Sequence, residues 1–92
     1  MAGYLILNFR CNNVAQWRKG YAMDENDRTA AGLSEQLVLA DVSDPNKITL
    51  VFQSDDFEKA KALLTSPKLH KHIAENCGGV DGPVDAKFAN TI

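Results

Sequence analysis

Ser43-Asp44-Pro45-Asn46, then Lys47-Ile48-Thr49-Leu50-Val51-Phe52-Gln53, then Ser54-Asp55-Asp56-Phe57-Glu58 reads as a turn, a strand and the start of a helix. Proline fixes φ early in the turn. Ile48, Leu50 and Phe52 alternate with Thr49, Val51 and Gln53, the period of a strand with two unlike faces. Asp55 with Glu58 three residues later has the form of a capping box, and the acidic run suits the positive end of a helix dipole. Upstream, Ser34 to Val42 carries Leu37, Val38, Leu39 and Val42, so the turn closes a β-hairpin. A hairpin that feeds a helix in mid-chain needs further elements on both sides to complete a sheet.

Before the hairpin, Gly3 to Cys11 alternates Tyr4, Ile6, Asn8 and Arg10 with Leu5, Leu7, Phe9 and Cys11, a second clear strand. Asn12-Asn13 breaks it, and Asn13 is a good helix N-cap. Val14, Trp17 and Tyr21 recur at i, i+3 and i+7, and Arg18, Lys19, Asp24, Glu25 and Asp27 mostly fall off that stripe. The helix is expected to run to Ala31-Gly32, with Gly32 as a left-handed cap. After the hairpin, Phe57, Ala60, Leu63 and Leu64 form a helical stripe. Ser66-Pro67 restarts the helix as N-cap and first residue, Leu69, Ile73 and Cys77 continue the apolar line, and Gly78-Gly79 ends it. Val84 to Asn90 is a last strand.

The order βαββαβ over residues 1–92 predicts one α+β domain of ferredoxin-like type, with an antiparallel four-stranded sheet and two helices on one face. Leu5, Leu7, Phe9, Ile48, Leu50 and Phe52 read as the covered face. Ile6 and Val51, with Val38 and Val42, leave the opposite face partly apolar, whereas a sheet open to water alternates more cleanly. A second copy of the chain is the simplest cover, and a homodimer is expected.

Composition narrows the function. Apolar residues are 45 % of 92, too many for a disordered chain. Ten Lys and Arg against twelve Asp and Glu give a net charge of −2. The densest basic cluster, Lys68, His70, Lys71 and His72, is interrupted by Leu69 and forms no stripe of the kind that displaces counterions from phosphates. No nucleic-acid partner is expected. Cys11 and Cys77 have no metal-ligand or redox spacing and read as reduced, buried thiols. The N-terminus lacks the features of a signal peptide and no run is long enough to span a bilayer, so a cytoplasmic protein without a membrane partner is expected. The Gly78 to Pro83 loop comes after a helix instead of opening one, so it reads as a turn and not as a phosphate cradle.

Several stretches resemble the dimeric α+β barrel superfamily, which includes antibiotic-biosynthesis monooxygenase-like proteins, muconolactone isomerases and small polyketide cyclases. They are Val14-Ala15-Gln16-Trp17, Arg28 shortly before Ala31-Gly32-Leu33, Asp44-Pro45-Asn46, Phe52 to Phe57 leading into Ala60 to Pro67, and Gly79-Val80 with Pro83. The resemblance covers nearly the whole chain, and its motifs are structural rather than catalytic. It implies sheets paired back to back in a dimer and a ligand pocket between sheet and helices. The chain departs from the aromatic-Glu-Trp-acidic pattern frequent in the family: it has Phe52-Gln53-Ser54-Asp55 there.

A handful of side chains are candidates for a site. His72, beside Ile73, is a proton-exchanging group or a boundary histidine that caps a carbonyl; His70 sits nearer the exposed side. Trp17 and Tyr21 are core aromatics or the wall of a flat ligand's site, with the Tyr21 hydroxyl as donor. Asn8 and Gln53 belong to a polar pocket lining or to the dimer face. Arg28 is an anion clamp or the ion-pair partner of Asp24. No metal site and no cofactor is expected. Two functions of different kinds fit. One is a cofactor-free monooxygenase, cyclase or isomerase acting on a hydrophobic aromatic or polyketide-like molecule. The other is a non-catalytic dimeric protein, structural or stress-related, with no active site.

Overall fold

The alternating segments pair into one sheet. In the computed structural model, which describes residues 3–92, β1 (Gly3–Arg10), β2 (Leu33–Ala40), β3 (Lys47–Ser54) and β4 (Asp85–Ala89) lie in the order β2-β3-β1-β4, every pair antiparallel. Between them run α1 (Val14–Met23), α2 (Glu25–Ala30), α3 (Phe57–Leu64) and α4 (Pro67–Asn76). This is the expected ferredoxin-like α+β topology, with the two crossover helices each divided in two. Among the described residues no helix is long and apolar enough to cross a membrane.

The covered face is the one expected. Leu5, Leu7, Ile48, Leu50 and Phe52 are buried, and Trp17, Leu33, Ala60 and Cys77 pack with them. Each boundary has a local cause. The Asn13 side chain accepts from the Gln16 N–H and starts α1. Gly32, Gly78 and Gly79 adopt positive φ, as a chain leaving a helix requires. Pro67 opens α4. The cap of α3 is Asp56, whose carboxylate accepts from the Glu58 and Lys59 N–H groups, and not Asp55. The Asp55 N–H is instead held by the Gly32 carbonyl, which places Asp55 one residue too early to cap.

Two further expectations are corrected. The first helix does not run unbroken to Gly32: it breaks at Asp24, whose N–H donates to the Tyr21 carbonyl before α2 begins. The inserted residue Gln36 gives β2 a bulge, since Glu35 faces Phe52 while Leu37 faces Val51. From there the parity of β2 reverses. Val38 comes to lie opposite Leu50, packed against the core, and Leu37 and Leu39 fall on the other face, 51 % and 47 % exposed. Val42 lies beyond the strand and is fully exposed. The apolar row on the open face is therefore Leu37, Val51 and Ile6, in register across three strands.

Gly20 explains itself in three dimensions. A Cβ there would stand 2.5 Å from both the Asn76 carbonyl oxygen and the Cys77 sulfur. The glycine lets α1 lie directly against the end of α4.

Candidate functional site

Between the inner face of the sheet and the helices lies a cavity of about 540 Å³. Leu5, Leu7, Leu50 and Phe52 form its floor, and Leu63, Leu64, Leu69 and Ile73 part of its roof. One side is aromatic. Trp17 and Tyr21, one helical turn apart, stack with centroids 4.9 Å apart and planes 25° from parallel, and Phe9 tilts against Trp17 at 5.6 Å. The Arg28 guanidinium lies 3.7 Å from the centroid of the Tyr21 ring and also donates to the Tyr21 carbonyl at 2.7 Å. A cation over an aromatic face is favourable, and it fixes the ring as a wall.

The polar groups are few and come mainly from α1, α2 and α4. The His72 Nε2 lies 2.7 Å from the Gly20 carbonyl oxygen, and its Nδ1 lies 3.1 Å from the Asn76 side-chain nitrogen. A carbonyl only accepts, so Nε2 carries the proton and Nδ1 accepts from the amide. The imidazole is thus a strut between α1 and α4 with both nitrogens engaged. The Tyr21 hydroxyl donates its one proton to Glu35 at 2.7 Å. Burial, with that carboxylate beside it, pushes the phenol well above its ordinary range.

Of the residues singled out from the sequence, Trp17, Tyr21, Arg28 and His72 all line the cavity. Arg28 makes no ion pair with Asp24; it is drawn to the Tyr21 ring and carbonyl. Asn8 and Gln53 lie on the opposite face of the sheet, in parity with Tyr4 and Thr49. There the Thr49 hydroxyl donates to the Asn8 side-chain oxygen at 2.6 Å. His70 also reaches the cavity rim, with Nε2 2.8 Å from the Leu64 carbonyl oxygen.

Sequence reasoning missed Asp24. It reads as part of a solvated acidic run, Asp24-Glu25-Asn26-Asp27, yet it is 8 % exposed and lines the cavity. Loss of water, with the neighbouring Asp27 carboxyl, raises its carboxyl above the usual range. Both cysteines are buried and free, and burial raises each thiol. Among the described residues no group of His, Cys, Asp and Glu side chains is arranged to hold a metal ion.

Solved structures with this architecture include a protein assigned as an antibiotic biosynthesis monooxygenase from Bordetella bronchiseptica (TM-score 0.79, 13 % identity, covering 99 % of this chain and 97 % of that one). SnoaB, a cofactor-independent oxygenase from Streptomyces nogalater, matches with TM-score 0.71 and 12 % identity over 99 % of this chain and 95 % of its own. A nipsnap family protein of unknown function from Agrobacterium tumefaciens matches with TM-score 0.69 and 14 % identity over 98 % and 87 %. No protein-family model and no curated protein matches the sequence. These solved structures share the ferredoxin-like α+β fold of this chain. At these identities the likeness speaks for the fold, and the activity has to be argued from the site.

Proposed function

We propose that the protein binds a flat, hydrophobic small molecule, aromatic or polyketide-like, in the cavity under its helices, and acts on it without a cofactor as an oxygenase, cyclase or isomerase. The observation that carries this reading is the cavity itself: about 540 Å³, within the range of small-molecule sites, walled by the Trp17–Tyr21 stack and holding a few polar groups at one corner. SnoaB, which shares the fold, is a cofactor-independent oxygenase, and that supports the choice of chemistry. The rings of Trp17 and Tyr21 orient the ligand, the leucines exclude water, and Arg28 and His72 frame the polar corner. Proton exchange by His72 requires it to release Asn76 or Gly20.

The dimer belongs to the same proposal. Leu37, Val51 and Ile6 make an apolar row on the uncovered face, and sheets packed back to back would bury it. Asn8, Thr49 and Gln53 then serve as polar contacts at that interface.

Titrating phenols, quinones and lactones while following emission of the single tryptophan tests the binding reading. Quenching or a spectral shift by at least one flat aromatic is expected, and a wholly indifferent Trp17 would exclude it. His72→Ala lowers turnover more than binding if the imidazole exchanges protons. A second reading, a structural protein without an active site, is favoured by one observation: the Tyr21 hydroxyl proton and both His72 nitrogens are already committed to protein partners.

A further inference from the structure

We propose that Asp24 is the proton-exchanging group of the cavity, and that the ligand presents a phenolic or enolic hydroxyl to it; the proposal rests on reading the cavity as a ligand site. Asp24 stands at the break between α1 and α2, is 8 % exposed as a residue and lines the space. Most of the surrounding wall is hydrocarbon or aromatic ring, so little there replaces the water the carboxyl has lost. A polar group so placed fixes the orientation of whatever enters.

The charged and titratable groups around Asp24 come from two directions. From its own segment come the Asp27 carboxyl and Arg28; from α4 comes His72, with the Cys77 thiol at that helix's end. Asp27 is in turn held by Lys68, its Nζ 3.3 Å from the carboxylate. The two carboxyls are pushed apart: Asp24 is raised by burial and by Asp27, while Asp27 is lowered by Asp24 and Lys68. Asp24 therefore holds a proton more readily than Asp27 does, and Asp27 has 36 % of its side chain exposed.

The proton moves in two stages. The Asp24 proton leaves to water, and the buried carboxylate left behind is a stronger base than an exposed one. It takes the proton of the ligand hydroxyl: that O–H bond breaks, its electron pair stays on the phenolate or enolate oxygen, and a new O–H bond forms on Asp24. The positive charge of Arg28 in the same wall favours the resulting anion.

Equilibrium dialysis of the full chain with 2-naphthol and with its methyl ether, 2-methoxynaphthalene, tests this across pH. The wild type is expected to prefer the naphthol by about tenfold once Asp24 is ionised, the effect of a hydrogen bond to a charged group. Asp24→Asn is expected to bind the ether as before and to lose most of the preference. Asp27→Asn removes the charge that raises Asp24, so the preference appears at lower pH. Equal binding of the two probes by the wild type, or a preference that survives Asp24→Asn, overturns the assignment while the cavity reading stands. If neither probe binds, both fall. Should Asp24→Asn fail to fold, the Asp27→Asn profile decides, and an unmoved pH midpoint overturns the assignment.

Discussion

The two faces of this sheet are built from the same strands by the same alternation, yet they have become different environments. The inner face is nearly all Leu, Ile and Phe, buried under four helices around a cavity. The outer face mixes an apolar row, Leu37, Val51 and Ile6, with Asn8, Thr49, Gln53 and Arg10. Arg10 bridges Asp44 and Asp81 at 2.9 Å each, holding the Asp44 carboxyl below its usual range and tying the hairpin turn to the loop before β4. The comparison separates two roles for a polar residue. On the inner face each polar group near the cavity is held by a partner or is deprived of water. On the outer face polar side chains hydrogen-bond one another beside apolar ones.

The largest effect is expected at the inner face. Phe52, 2 % exposed, is at the centre of the cluster, and Phe52→Ala should cost about 3–5 kcal/mol by denaturant unfolding. Its neighbour Val51 points the other way. If the outer faces pair, the cost of Val51→Ala grows with protein concentration, because unfolding is linked to dissociation; an unfolding midpoint that ignores concentration breaks the dimer half of the comparison. Gly20→Ala comes next, at about 1–3 kcal/mol, because the added methyl meets α4. A variant as stable as the parent would mean that α1 and α4 can part at no cost.

Smaller effects sharpen the picture. Asp24 has its carboxyl raised in the folded state, so the folded chain holds that proton more tightly than the unfolded one, whose carboxyl titrates near about 3.9. Wild-type stability is therefore lost as pH rises from the unfolded value through the raised one, and stays lost above it. Asp24→Asn should melt higher than the wild type at neutral pH, with the advantage gone in acid below the unfolded value; a lower melting temperature at neutral pH would contradict the burial argument. Leu37→Asp, on the exposed row, should leave the fold intact and yield a 10.1 kDa monomer in sedimentation equilibrium.

Much of the fold was legible because its punctuation is chemical. Asn13, Gly32, Asp44-Pro45-Asn46, Ser66-Pro67 and Gly78-Gly79 each stand at a boundary for a backbone reason that a sequence displays. The Gln36 bulge was not legible, since no residue there demands one; it arises from how β2 lies on β3, and it moved Leu37 and Leu39 to the outer face. Strand parity grouped Asn8 with Tyr4 and Arg10, but only the docking of the helices decides which face is which. At the site, helical spacing brought Trp17 and Tyr21 together, and their stripe pointed to the cavity. The partners of His72 are long-range or depend on rotamers, and nothing in the sequence around Gly20 shows that the end of α4 packs on it. Asp24 was hidden for the opposite reason: in an acidic run a buried carboxylate looks like a solvated one.

A ligand titration read by nuclear magnetic resonance compares the two faces directly, because each carries its own side-chain N–H reporter. Trp17 has an indole N–H beside the cavity, and Asn8 and Gln53 have side-chain amides on the outer face. With 2-naphthol added, the Trp17 indole signal should move in a saturable way while the Asn8 and Gln53 amides stay in place. Movement of the Asn8 and Gln53 signals with a silent indole would contradict the account and put the ligand on the other side of the sheet.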